Sequence, residues 1–338
     1  MNSVDKKGVL LVNLGTPKSP TTEEVRAYLK EFLSDRDVIR MPRFLWLPLL
    51  NLVILRSRPA KSAELYKKVW TEWGSPLLYN TYLQAGLLKK KFEDDKNDEF
   101  FVDVAMRYGT PSIESKLLEF VKSGYRKIII LPMFPQYSTT TTRSIARKID
   151  EIIKTTHLLN RVEISFIKDF HNHDLYVDAC CETIKEYQLK LGKPDKLLLS
   201  FHGIPESYLG ADEPYRDQCL MTANLIANKL SLSKKQYEVA FQSRFGKAEW
   251  IKPYLAERLE SLPNENVKNI QVFCPGFSSD CLETIEEIGE ESKELFIESS
   301  GEEFGFIPCL NGSTKFIALI EDLVTNSNKY NIDFRSLF

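Results

Sequence analysis

The sequence predicts an α/β fold of two lobes, each a four-stranded parallel sheet flanked by helices, facing each other across a cleft. Three observations carry that expectation. Short β-rich apolar runs alternate with amphipathic stretches along the whole chain, and this alternation implies parallel sheets with helices on both faces. Local motifs recur in the same order in the two halves, and the matched motifs fall just beyond strand ends. At 338 residues, 43% apolar and 27% charged, the chain has the length for two cores and the composition of an ordinary globular protein.

The expected strands are Gly8–Leu14, Phe101–Met106, Lys127–Met133, Val162–Ile167, Lys196–Phe201, Tyr237–Phe241, Asn269–Cys274 and Gly305–Pro308. Between them, Thr22–Leu33, Ile113–Ser123, Arg143–Lys154 and Cys219–Leu230 carry helical spacing of apolar residues. The run Leu10 to Pro17 resembles Leu198 to Pro205, Arg107-Tyr108-Gly109 resembles Arg244-Phe245-Gly246, and Pro132-Met133-Phe134 resembles Pro275-Gly276-Phe277. Three matches in one order suggest two copies of a four-stranded unit. The organisation expected is residues 1–158 as a first lobe, 159–310 as a second, and 311–338 as a segment returning to the first.

From Gly15 to Arg107 the first copy is roughly 50 residues longer than the second is from Gly203 to Arg244. This insertion, about residues 40–80, contains the apolar run Phe44–Leu55, flanked by Arg40, Arg43, Arg56, Arg58, Lys61, Lys67 and Lys68 against one acid, Glu64. Apolar residues edged by cations suit an interfacial membrane contact; a buried core helix with a solvated basic flank is the plain alternative. The place of the run outside the repeated core favours the lip. Twelve residues broken by Pro48 and Asn51 are too short for a helical span, which needs ~20.

Charge and cysteine usage narrow the class. A net charge of −2 gives no global field for nucleic acid, and none is expected as a partner. Six cysteines without a C-x-x-C pair argue for reduced thiols, not zinc or a disulfide framework. Met1 to Lys7 has the features of neither an export nor a transit signal. The expectation is a cytoplasmic protein, with peripheral contact on the inner face of the plasma membrane left open by the apolar run.

The lobes are Rossmann-like in pattern, yet Asn13-Leu14-Gly15-Thr16-Pro17 is neither a dinucleotide nor a P-loop signature, and no G-x-S-x-G elbow is present. Histidine is scarce. His157 reads as an exposed loop residue, and His171 and His173 as surface or capping residues near a helix start. His202 ends a strand run just before Gly203, where a site is expected, and an imidazole there can take a proton or bind a metal. On spacing alone its structural and functional readings stand level.

Ser278, Ser279 and Asp280 are N-cap candidates for a helix that carries Glu283, Glu287 and Glu291 at intervals of four. Nine glutamates and one lysine lie between Glu283 and Glu303. Such a row is either a solvated acidic face or a path for metal ions in and protons out, and both readings stay open on the residues alone.

Ser200-Phe201-His202-Gly203-Ile204-Pro205, Glu213-Pro214-Tyr215, Phe241-Gln242-Ser243-Arg244-Phe245-Gly246 with Trp250, and Pro275-Gly276-Phe277-Ser278-Ser279-Asp280-Cys281-Leu282-Glu283-Thr284 resemble the ferrochelatase family. Asn13 to Pro17, Arg58 to Tyr66, Gly74-Ser75-Pro76 and Phe134 to Ser138 fit the same pattern, so the likeness runs from about residue 8 to about 325. The resemblance implies a chelatase-like fold and a lyase that inserts Fe²⁺ into a porphyrin with release of two protons, the last step of heme biosynthesis. It implies His202 and Glu283 as the catalytic and metal-binding pair, and Asp280, Glu287 and Glu291 as the proton or metal path. For the substrate it implies Arg107, Tyr108, Tyr137 and Trp250 around the porphyrin, and Arg58, Lys61, Tyr66 and Ser75 at the lip and wall.

Departures from the family pattern refine this. Cys281 stands where some members have a second histidine, and nothing after Cys309 supplies cysteines for an iron–sulfur cluster, so none is expected. Iron is substrate; no permanently bound cofactor is expected. Leu14 is apolar where members acting on coproporphyrin tend to carry tyrosine, which favours protoporphyrin IX. The rival readings are a coproporphyrin III enzyme, a chelatase for another metal or tetrapyrrole, and a two-lobed binding protein that closes on a small ligand. Protein partners and oligomeric state are not legible.

Overall fold

The computed structural model describes residues 6–156, 162–246 and 248–338, so His157 lies outside the described residues. The chain divides into two compact units, one made of Met1–Phe134, Ser138–Asp169 and Ile317–Phe338, the other of Pro135–Tyr137 and Phe170–Phe316.

The first unit opens on β1 (Lys7–Gly15), α1 (Thr22–Leu33), α2 (Arg43–Leu49), α3 (Leu55–Val69) and α4 (Pro76–Asp94). It continues through β2 (Phe100–Tyr108), α5 (Ile113–Lys122), β3 (Lys127–Pro132), α6 (Ser144–Thr155) and β4 (Glu163–Ile167). Val9 to Val12 are fully buried, as a central strand covered on both faces must be. The Thr21 hydroxyl accepts from the Glu24 N–H to start α1, whose first turn holds Glu23 and Glu24 and whose last turn holds Lys30, each complementing the helix dipole. Leu10, Val12, Ile128, Ile130, Ile145, Ile149 and Phe166 form the core.

The second unit contains α7 (Asp174–Leu191), β5 (Lys196–His202), α8 (Tyr215–Lys229), β6 (Tyr237–Gln242), α9 (Leu255–Ser261), β7 (Asn269–Phe273), α10 (Leu282–Ile285), α11 (Lys293–Glu298) and β8 (Glu303–Ile307). His173 caps α7, its Nδ1 accepting from the Leu175 N–H at 3.2 Å. Leu198, Leu255, Leu259, Ile270, Val272, Ile288 and Phe296 make its core. Then α12 (Thr314–Thr325) and α13 (Ser327–Tyr330) lead to β9 (Asn331–Ile332).

All eight expected strands are present, and the two parallel sheets repeat one order, β2-β1-β3-β4 and β6-β5-β7-β8. The first sheet departs from the expected four strands. β9 pairs antiparallel with β4 as a fifth, and the Asn331 side chain accepts the Phe166 N–H at 2.8 Å. Two residues are too few to show an alternating pattern. The ladders also shift two of the internal matches. Asn13 pairs with Met106 and Phe201 with Phe241, so the position of Arg107 is occupied in the second sheet by Gln242, and Arg244 lies two residues beyond it. Likewise Leu11 pairs with Leu131 and Leu199 with Phe273, which sets Cys274 at the place of Pro132.

The insertion is helical. α2 is followed by a π-helical turn, Leu50–Ile54, just after Pro48, whose missing N–H interrupts the regular ladder. The Trp46 indole N–H donates to the Leu33 carbonyl at 2.7 Å and anchors the segment, while Leu50 and Leu55 are buried. Phe44 (77%), Leu52 (57%) and Val53 (54%) are exposed, with Met41, Leu45, Leu47 and Leu49 also on the surface. The run is therefore not a buried core helix.

Candidate active site

In the second unit the chemistry-bearing residues gather at the carboxyl end of the sheet. β5 ends on His202 and turns at Gly203, whose N–H donates to the Gln242 carbonyl at 2.8 Å. A Cβ on Gly203 would stand 2.9 Å from that carbonyl oxygen and 3.0 Å from the Trp250 ring, so glycine lets β6 and Trp250 close on the strand end. His202 is half-buried, with Nδ1 2.6 Å from the Gly203 carbonyl oxygen. A carbonyl only accepts, so Nδ1 is the donor, and in the neutral ring the lone pair is on Nε2. The Tyr215 hydroxyl donates to the His202 carbonyl at 3.0 Å. The Trp250 ring lies 6.5 Å from the imidazole, packed edge-on by Phe245 at 5.2 Å. Trp250 is buried, and its indole N–H has no acceptor among the described residues.

Beyond β7 the chain enters the carboxylate row. Cys281, not Ser278, Ser279 or Asp280, is the N-cap of α10: Thr284 Oγ1 accepts the Cys281 N–H at 3.0 Å in a capping box. Asp280 is buried instead as an anchor. Its Oδ1 accepts from the Thr284 hydroxyl and the Cys309 N–H, both at 3.1 Å, and its Oδ2 from the Asn311 amide at 2.7 Å. Nor does the row ride one regular helix. After Ile285 the backbone widens into a π-helix over Glu287–Ser292, so the intervals of four do not stack in a single stripe. Glu283 and Glu287 are half-buried, and Glu291 is exposed.

Two residues that appear in the sequence only as members of a family motif, with no role assigned, hold this row. Gln242, opposite His202 in the ladder, donates its amide to the Glu283 carbonyl at 2.7 Å. Ser243, in the left-handed region at φ 63°, gives both its N–H and its hydroxyl to Glu287, each at 2.6 Å. Burial, helped by the nearby charges of Glu283 and Glu291, pushes the Glu287 carboxyl up to about 7 in spite of the two donors. Among the described residues no group of three or more His, Cys, Asp or Glu side chains is arranged to hold a metal ion. Tyr137, also in this unit, is buried, and its N–H donates to Gln218 Oε1 at 2.6 Å.

In the first unit, Leu14 is half-buried next to Gly15 at the end of β1. Arg107 donates through Nε to Ser144 Oγ at 2.6 Å and pairs with Asp35 at 2.5 Å. Tyr108 is fully buried with its hydroxyl donated to Asp35 at 2.8 Å, so it presents no surface to a ligand here and braces Arg107 instead. Burial alone would raise Asp35, but the charge of Arg107 and the hydrogen bonds from Ser144, the Asp37 N–H and Tyr108 bring it below its usual value. Asp35 and Ser144 went unnoticed in the sequence because each lies far along the chain from Arg107. On α3, Arg58 and Lys61 are exposed while Tyr66 is buried, 6.1 Å from the Trp70 ring; Ser75 is buried at the start of α4.

The family model for ferrochelatase matches residues 6–328. The chain belongs to the ferrochelatase family. Curated ferrochelatases agree: that of Idiomarina loihiensis is 45% identical over 323 residues, 96% of this chain and 88% of that protein. That of Actinobacillus pleuropneumoniae serotype 5b is 47% identical over 323 residues, 95% of this chain and 98% of that protein. As a ferrochelatase the protein is a lyase of heme biosynthesis, and its substrates are a porphyrin and ferrous iron. Among solved structures, the sirohydrochlorin chelatase SirB of Bacillus subtilis subspecies spizizenii in complex with cobalt shares the fold, with a TM-score of 0.53 and 12% identity over 97% of this chain and all of that one. SirB from Bacillus subtilis with Fe3+ gives 0.52 at 14%, again over 97% of this chain and all of that one. No helix among the described residues is long and apolar enough to cross a membrane.

Proposed function

We propose that His202 and Glu283 are the catalytic pair of this ferrochelatase, that the porphyrin is protoporphyrin IX, and that the exposed run around Phe44 and Leu52 meets a membrane surface. One observation carries the first part: His202 keeps Nδ1 on the Gly203 carbonyl and so offers a lone pair on Nε2 at the sheet end where Gln242 holds Glu283. Insertion requires the two pyrrole N–H bonds of the ring to break, their electron pairs remaining on nitrogen to bind iron. Nε2 of His202, the ring nitrogen not held by the Gly203 carbonyl, takes the first proton. Glu283 supplies a hard carboxylate oxygen to partly dehydrated Fe²⁺. Glu287, poised near neutrality and next on the row, accepts the second proton and passes it towards Glu291; Asp280, saturated with donors, serves as the anchor of the turn rather than a relay.

Leu14, Arg107, Tyr137 and Trp250 are the porphyrin-contacting residues of this reading, with the exposed Arg58 and Lys61 at the lip and the buried Tyr66 and Ser75 in the wall. Binding energy on the apolar ring can then be spent on bending it. An apolar Leu14 offers no donor to an extra propionate, which supports protoporphyrin. The test is His202→Ala, followed by loss of free-base porphyrin fluorescence with Fe²⁺. Turnover should fall by about 10²–10⁴-fold, the usual worth of a positioned base, with porphyrin binding retained. Turnover like that of the parent chain would remove His202 from the mechanism.

A further inference from the structure

We propose that Gln242 is a positioning residue for iron insertion, one amide that sets the spacing between the His202 strand end and the Glu283 turn. The inference rests on the catalytic reading of Glu283 given above. Gln242 is 3% exposed, so both ends of its amide must be satisfied inside the protein. The Ser200 hydroxyl donates to Oε1 at 2.7 Å, and the Cys274 thiol approaches the same oxygen at 3.5 Å. Two donors on the oxygen fix the flip of the amide and aim its NH₂ at the Glu283 carbonyl, 2.7 Å away.

Parallel register makes this bridge relevant to the chemistry. Gln242 pairs with His202, and Ser200 lies two residues before His202 on the same strand, so all three side chains leave one face of the sheet. The strand that presents the imidazole is thereby tied, through a single side chain, to the backbone of the residue that presents the carboxylate. Methionine has similar length and neither hydrogen-bonding end.

The full-length chain with Gln242→Met, Ser200→Ala or Glu283→Gln is assayed for Fe²⁺ insertion under anaerobic conditions, with porphyrin affinity measured by fluorescence quenching and folding by thermal melting. Gln242→Met should lower kcat/KM for iron by about 10–100-fold, as loss of a supporting hydrogen bond behind a metal ligand does, while porphyrin affinity stays within about twofold. Ser200→Ala, which only releases the flip, should move kcat/KM for iron in the same direction by a smaller factor. A lower melting temperature with unchanged kcat/KM per folded molecule would make Gln242 a packing residue and overturn the proposal. If Gln242→Met does not fold, Ser200→Ala decides, and unchanged iron kinetics there overturn it equally. Loss of activity in Glu283→Gln with normal kinetics in Gln242→Met sinks this inference alone; normal turnover in Glu283→Gln sinks the reading of Glu283 and this inference with it.

Discussion

Glu287 is a half-buried acid held by two donors, yet its carboxyl titrates near 7 instead of 4.5, because burial outweighs Ser243 and the charges of Glu283 and Glu291 add to it. Between those two values the folded chain holds a proton that the unfolded chain has released. Stability from this group is therefore complete below about pH 4 and declines as pH rises through about 7. Glu287→Gln should flatten that decline, gaining on the parent chain by on the order of 1–3 kcal/mol above pH 7 and nothing at pH 4. Melting curves taken from pH 4 to 8 without metal check it; an unchanged slope would assign the titration elsewhere. At this scale the scarcity of histidine and the density of glutamate mark His202 and Glu283 as candidates, while their pairing comes from the family resemblance alone. Gln242 and Ser243 stand in the sequence only inside a family motif, without a role, and Asp35 does not stand out at all. Amides, hydroxyls and surface-type acids are common in any sequence, and their partners lie far along the chain, as from Gln242 to Glu283 or from Asp35 to Arg107.

Elements built on irregular geometry were the harder ones to read. Regular ones with caps and clean periodicity came out close to their observed bounds: Thr22–Leu33 coincides with α1, and Ile113–Ser123 overruns α5 by one residue. The carboxylate row was read as one α-helix, whereas a short α-turn gives way to a π-helix; intervals of four residues do not distinguish these, because the choice rests on tertiary bonds such as those from Ser243. In the insertion, apolar content was legible but its division between core and surface was not. Leu50 is fully buried in the middle of the run, so serine there would damage the fold. The informative change is Phe44, Leu52 and Val53 to serine together, at 77%, 57% and 54% exposure. Each large apolar side chain transferred to lipid is worth about 1.5–3 kcal/mol, so co-sedimentation with anionic vesicles should drop by orders of magnitude. Melting temperature and detergent-phase activity should hold. Retained vesicle binding would mean that the exposed run serves the porphyrin alone.

At the scale of the whole molecule the decisive feature is duplication of the sheet order, with a glycine as the last residue of β1 and another directly after β5. The two glycines are not equally constrained. Gly15 sits at φ 121°, and a Cβ there would fall 1.9 Å from the Tyr108 carbonyl oxygen, a backbone atom that cannot swing away. Gly203 has an ordinary φ, and its Cβ would meet the Gln242 carbonyl at 2.9 Å and the Trp250 ring at 3.0 Å, one of them a side chain with some freedom. Gly15→Ala should thus cost about 4 kcal/mol or more, the range reserved for backbone strain joined to overpacking. Gly203→Ala should cost about 1–3 kcal/mol. The functional ranking should run the other way. The Gly203 change presses directly on the turn between His202 and Trp250, so folded Gly203→Ala protein should lose more of its iron insertion than its loss of stability explains. Denaturant unfolding and turnover per folded molecule, measured on both variants, separate the two orders. A Gly203→Ala enzyme with normal turnover would show that the strand end tolerates displacement, and would weaken the case that His202 must be held where Gly203 puts it.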